Sequence, residues 1–168
     1  MNKKSRKRRV IWGIIFLTYI TLLIYFLFFS DTFGRTVAYD EYRYNLKPFA
    51  EINRYFTKVK EKDYLMFFIN IIGNILLFVP FGILFPFVSS KEGFKRGRNF
   101  FVTLLVSVLF CFLIEDIQLI TKVGVFDIDD IIMNTTGAVI GYILYRLTFG
   151  FENKRLKNRR KAGECCRE

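Results

Sequence analysis

A run of twenty-four residues, 65–88, contains no charged side chain, and this most restricts how the chain can fold. A second charge-free run, 10–29, has twenty residues. Each meets the roughly 20 residues that a helix needs to cross about 30 Å of hydrocarbon. Composition agrees with a membrane solvent: 52% of residues are hydrophobic, 21 are Phe, and the mean hydropathy is +0.27. The apolar residues come in long blocks instead of the stripes that mark soluble helices and strands.

Residues 100–114 and 131–145 are charge-free for only fifteen residues each. A spanning helix in either place must therefore take in part of the polar stretch between them. The expected spans are 10–29, 65–88, 100–120 and 128–148. The third then carries Glu115, Asp116 and Gln118, and the fourth Asp129, Asp130 and Asn134. The predicted fold class is an all-α integral membrane protein, a bundle of four transmembrane helices forming one domain over residues 1–168.

Lys and Arg set the orientation. Six lie in residues 1–9, four in 89–99 and seven from residue 151 onward, whereas 115–130 has one Lys against five acids. Both termini and the 89–99 connection are expected on the cytoplasmic side, N-in and C-in, with basic tails at 1–9 and 151–168. The outer loop, 30–64, runs mildly against the rule with seven Lys/Arg, but these are spread over thirty-five residues with six acids. The first apolar block is longer than a secretory signal core and "SDTFGRTVAYD" offers no small-x-small cleavage site, so it reads as an uncleaved anchor. Beside spans, the basic tails mark cytoplasmic ends that touch anionic lipid, and no nucleic-acid partner is expected.

Depth can then be assigned to the polar residues. Asn70 and Asn74, four apart, share a face in the outer half of span two. Glu115 and Gln118 lie on the last turns of span three, and Asp127, Asp130 and Asn134 open span four at i, i+3 and i+7. A carboxylate within the membrane costs on the order of 2.5–3.5 kcal/mol even on insertion scales, so Glu115, Asp127 and Asp130 mark a functional site with the amides as partners. Such an oxygen-rich cup suits a divalent cation (Mg²⁺ or Ca²⁺), a sugar or phosphate-sugar head group, or a carboxyl poised for proton transfer. No other cofactor is expected. The remaining features read as structural. Asp116 and Asp129 suit a solvated hairpin, and Pro80 and Gly82 a bend in span two. Gly137 and Gly141 form a G-x-x-x-G that admits another backbone, in the bundle or in an oligomer.

The motifs "NIIGNILLFVPFG" and "EDIQLITKVGVFDIDDIIMNTTGAVIG", preceded by "YNLKPF" at 44–49, resemble the VanZ family of small bacterial membrane proteins. The resemblance spans roughly residues 42–145. It implies a multi-pass protein of the bacterial cytoplasmic membrane and a link to susceptibility to glycopeptides and lipoglycopeptides such as teicoplanin. It also implies that Asn45 joins the site from an outer loop stiffened by Pro48. One departure is visible: Gly124-Val125 stands where many members have Gly-Arg.

Two function classes follow. In the first, the cup of Asn45, Asn70, Asn74, Glu115, Gln118, Asp127, Asp130 and Asn134 binds a membrane lipid, a lipid-linked wall precursor or the antibiotic itself. In the second, a small hydrolase or transferase uses Glu115, Asp127 or Asp130 as acid or base on a lipid-linked substrate. The chain has no histidine, and no serine or cysteine sits beside a base, which argues against a nucleophilic relay or a zinc centre. Binding is the preferred reading.

Overall fold

The computed structural model describes residues 3–29, 40–60, 64–89 and 96–165. Expectations that fall on 30–39 in the outer loop and on 90–95 in the basic connection lie outside the described residues. The helices are α1 (Lys3–Phe29), α2 (Ala50–Lys60), α3 (Tyr64–Phe67), α4 (Gly73–Ser89), α5 (Arg96–Ile120) and α6 (Ile128–Cys165). A π-helical turn, Phe68–Ile72, joins α3 to α4, and two short strands, β1 (Tyr44–Asn45) and β2 (Phe126–Asp127), pair in parallel. Among the described residues the fold is thus all-α apart from this strand pair. Among the described residues three stretches, Val10–Phe29, Phe68–Ser89 and Phe100–Ile120, are long and apolar enough to cross a membrane. α6 is longer, at 38 residues, but mixes Asn134, Thr135, Thr136 and Arg146 among its apolar residues.

Contacts give the relative directions of the long helices. Trp12 stacks on Phe87 at 4.1 Å and Tyr19 reaches Leu77, so α1 runs antiparallel to α4. Asn74 meets Asp130 and Phe87 meets Tyr145, so α4 and α6 run parallel. Phe100 packs on Tyr142 while Glu115 meets Asp127, which turns α5 the other way. The result is up, down, up, down, with the start of α1 and the far end of α6 away from the α5–α6 turn.

The core lies where the four helices meet: Leu23 and Leu27 of α1, Phe78 and Phe81 of α4, Cys111 and Ile114 of α5, and Ala138 of α6. Much apolar surface stays outside it, as at Ile14, Leu17, Leu105 and Leu109. This suits a bundle whose solvent is itself apolar, in which close packing and interhelical hydrogen bonds, not water exclusion, hold helices together. α4 and α6 show that packing most directly. A Cβ added at Gly137 would strike the Ile75 carbonyl, one at Gly141 the Val79 carbonyl, and one at Gly82 the Ala138 carbonyl. The face expected to be available to a second copy through Gly137 and Gly141 is therefore occupied by α4 of the same chain. Gly82, read as part of a bend, also serves this close crossing, within an α4 that continues through Pro80 and Pro86.

Pro80 lacks an amide and disturbs the turn before it. The Tyr19 hydroxyl donates to the Leu77 carbonyl in that turn at 2.7 Å. Neighbouring helices commonly re-satisfy carbonyls in this way. Tyr19→Phe is expected to lower stability in detergent by about 0.6–1.7 kcal/mol, the range of interhelical hydrogen bonds in membrane proteins. Thermal unfolding followed by circular dichroism would read this, and an unchanged transition would show that the bond contributes nothing net.

Within 40–60, read from sequence as loop, α2 forms because Ile52, Tyr55, Phe56 and Val59 fall at i, i+3, i+4 and i+7. Phe56 rests on Phe67 with ring centroids 5.2 Å apart, while Asn53, Arg54, Thr57 and Lys58 face away. Arg54 pairs with Glu51 at 2.5 Å on the exposed side.

Candidate functional site

The turn between α5 and α6 organises the polar residues. α5 ends with the Thr121 amide on the Ile117 carbonyl, and the chain reverses through Lys122, which sits in the left-handed region at φ 58°. The Gly124 amide returns to the Gln118 carbonyl. Three residues later Asp127 stands at the N-terminal cap of α6, its Oδ1 accepting the Asp129 amide at 2.8 Å. Capping by Asp is among the favoured solutions to the unpaired amides of a helix start.

Asp127 links three further segments. Its own amide donates to Oε2 of Glu115 at 3.1 Å, and its Oδ2 accepts Asn45 Nδ2 at 3.2 Å. The strand pair sets this register, with Asn45 opposite Asp127 and the Phe126 amide on the Arg43 carbonyl. Asn45 Oδ1 in turn accepts the Lys47 amide, which fixes the turn leading towards Pro48. Glu115 is 1% exposed and Asp127 6%. Burial pushes the Asp127 carboxyl above the ordinary aspartate value, against the opposing pull of the Asp129 amide and the Asn45 side chain. Glu51, beside the site, is likewise raised by burial and lowered in part by Arg54.

A second pairing joins α4 to α6. Asn74 Nδ2 donates to Asp130 Oδ1 at 2.9 Å. Asn134, one turn further along α6, is buried at 2% exposure. The amide oxygens of Asn74 and Asn134 are buried without a hydrogen-bond partner, as is that of Gln118.

Not every expected residue joins these groups. Gln118 is buried, but its Nε2 donates to the Leu27 carbonyl at 3.1 Å, tying α5 to α1. Asn70 lies half-buried in the π-helical turn, where the Gly73 amide bonds the Phe68 carbonyl, five residues back. Asp116 is only partly buried.

Asp129 overturns the solvated-hairpin reading. It is 0% exposed, and its carboxylate accepts the amides of Phe49 at 2.5 Å, Glu51 at 2.8 Å and Ile52 at 3.2 Å. It thus caps α2 from about 80 residues away in sequence. Phe49 takes φ 65°, an uncommon region for a bulky residue, as its amide meets this carboxylate. One sequence signal could have found the contact: α2 opens at "PFAE" with no Ser, Thr, Asp or Asn to cap it, so its amides need an acceptor from elsewhere.

Chemically, one end of the bundle gathers Glu115, Asp127, Asp129 and Asp130 with two amide side chains and closes them with the 44–52 segment. Among the described residues no three carboxylate or thiol side chains converge to hold a metal ion.

The fold and this end define a class: all-α membrane proteins in which antiparallel helices converge on a buried acid and amide cluster strapped by the segment 44–52. The family model described as VanZ/LLP1 matches residues 16–149, and the chain belongs to that family. It is similar to Protein VanZ of Enterococcus faecium, with 28% identity over 144 residues covering 84% of this chain and 75% of the relative. No solved structure matches the chain.

Proposed function

We propose that the protein crosses the bacterial cytoplasmic membrane four times, N-in and C-in, as one domain. On this reading its acid and amide cluster binds a lipid-linked or head-group ligand in the outer half of the bilayer, and so modulates the cell envelope and its susceptibility to glycopeptides such as teicoplanin. The observation that carries this reading is the cost of the cluster. Amide oxygens buried without a partner beside carboxylates at one end of an apolar bundle are unfavourable unless a ligand uses them. The alternating helix directions support four crossings with both basic ends together. No observation favours an enzyme: Glu115 accepts a backbone amide, and Asp127 is engaged as a helix cap.

Two measurements test this. A reporter fused near Glu51 is expected to read extracytoplasmic and one after Lys157 cytoplasmic, and a cytoplasmic signal near Glu51 would invert the site. In cells with matched protein levels, Asp130→Ala and Asn134→Ala are each expected to return teicoplanin susceptibility to that of cells lacking the protein. Full phenotype in both variants would remove the cluster from the function.

A further inference from the structure

We infer that the segment from Tyr42 to Phe49 is set into the bilayer, with Tyr44, Leu46 and Phe49 against lipid acyl chains, and is not a loop in water. The inference needs α5 to cross the membrane, as proposed above, but neither its orientation nor a ligand in the cluster. Depth comes first. On α5 the exposed apolar residues Leu105, Leu109, Leu113, Ile117 and Ile120 run to the helix end, so its lipid-facing surface reaches Ile120. Lys122, just beyond, donates to the Asp40 carbonyl at 2.8 Å and lies 4.9 Å from the centre of the Tyr42 ring, which puts Tyr42 at that edge. Tyrosine is enriched at such a boundary. The residues that follow go inward. Tyr44 pairs with Phe126, whose ring stands 5.6 Å from that of Phe112, and Asn45 pairs with Asp127, whose amide is held by Glu115. At 1.5 Å per helical residue Glu115 and Phe112 lie about 8 and 12 Å inside Ile120. Three residues of extended chain, from Tyr42 to Asn45, cover about 10 Å, which matches that descent.

The backbone is built for that depth. Non-helical chain is tolerated in hydrocarbon only where its polar groups are met inside the protein. From Lys47 to Asn53 every amide has an acceptor: Lys47 on Asn45 Oδ1, Phe49, Glu51 and Ile52 on Asp129, Ala50 on the Lys47 carbonyl and Asn53 on the Phe49 carbonyl. Pro48 has no amide to place. A solvated loop needs no such completeness, because water serves its amides. The side chains divide in the same way. Asn45 turns inward to Asp127, whereas Tyr44, Leu46 and Phe49 are 65%, 56% and 56% exposed. In water these three would form an open apolar patch, yet through Phe126 and the half-exposed Phe112 they adjoin the lipid-facing side of α5. Arg43 and Lys47, also exposed, carry their charges on stems long enough to reach head groups. The segment then forms a wall between the acid and amide cluster and the acyl chains.

The test uses the full chain. Trp12 is the single tryptophan, so a Trp12→Phe background is silent in tryptophan emission. In that background Tyr44→Trp, Phe49→Trp, the span control Leu109→Trp and the water control Thr57→Trp are placed in nanodiscs of phosphatidylcholine, plain or brominated on its acyl chains, and iodide is added to each. Bromolipid should quench Tyr44→Trp and Phe49→Trp within about twofold of Leu109→Trp, since all three would share the same hydrocarbon layer, and iodide should reach only Thr57→Trp. Iodide quenching at Tyr44→Trp or Phe49→Trp overturns the inference and makes the segment a loop in water. Protection of either from both quenchers also overturns it, by showing a second copy or another protein over this face. If Leu109→Trp escapes bromolipid, α5 does not cross, and the proposed crossing falls together with the inference. If the segment's variants fail to fold, the unaltered protein decides. A lipid with a diazirine on its acyl chain should then label peptides of 42–49 as it labels those of 105–113, and labelling of the latter alone overturns the inference. Ligand binding by the cluster is tested separately, by the susceptibility of Asp130→Ala and Asn134→Ala, so either reading can fail without the other.

Discussion

Replacing Asp129 by alanine is expected to release the 49–60 segment from the bundle while leaving the long helices folded. The carboxylate accepts three amides at the start of α2, and nothing on α2 itself can replace it at the Phe49 cap position. A lost cap costs about 0.5–2 kcal/mol, and a hydrogen bond to a charged acceptor about 1.5–3 kcal/mol, so local stability should fall by about 2–4 kcal/mol after water takes up some of the freed amides. Hydrogen exchange in peptides spanning 49–60 should then quicken by roughly thirtyfold or more, with α4 peptides unchanged. Asp129→Asn, which keeps one acceptor oxygen, should fall between. Unaltered exchange in Asp129→Ala would mean that α2 is held by contacts such as Phe56 on Phe67, and that the buried carboxylate is not its anchor.

The second large effect concerns the α4–α6 crossing. Gly137→Ala and Gly141→Ala add only a methyl group, but each would meet a backbone carbonyl, of Ile75 and Val79, and a carbonyl in a helix cannot swing aside as a side chain can. Overpacking of this kind typically costs 1–3 kcal/mol and more where backbone must move, so about 3 kcal/mol per site is expected. Gly13→Ala is the matched control: nothing lies within 4 Å of its added Cβ, and helix propensity favours alanine by about 1 kcal/mol. Melting in detergent should separate them, with the first two variants falling or failing to give a monodisperse protein and Gly13→Ala unchanged or higher. A tolerated Gly137→Ala would show that α6 does not approach α4 this closely.

Both predictions turn on residues that the sequence alone misplaced or left open. Asp129 was read as part of a solvated hairpin, and periodicity puts it about 100° from Asp130 on α6. It does point elsewhere, towards the start of α2, a helix that sequence reading left as loop. Its apolar spacing was present at Ile52, Tyr55, Phe56 and Val59, but eleven residues between polar stretches give a weak signal beside twenty-residue apolar runs. The π-helical turn at Phe68–Ile72 was equally hidden, because a one-residue change of register leaves no mark in composition.

What the sequence determined by itself is the solvent and the chemistry. Long charge-free runs dictate helices suited to hydrocarbon, and carboxylates that those runs are too short to exclude must end up at helix ends with amide partners. The burial of Glu115, Asp127, Asn74 and Asn134 near helix ends was legible for that reason. Only the tertiary structure decided which amide meets which acid, that Gln118 serves α1, that Gly137 and Gly141 face α4 of the same chain, and that Asp129 straps α2 from about 80 residues away. Those outcomes depend on which helix surfaces lie within a hydrogen bond or a carbonyl radius of one another. That distance is set by how all the helices pack together, and no local spacing encodes it.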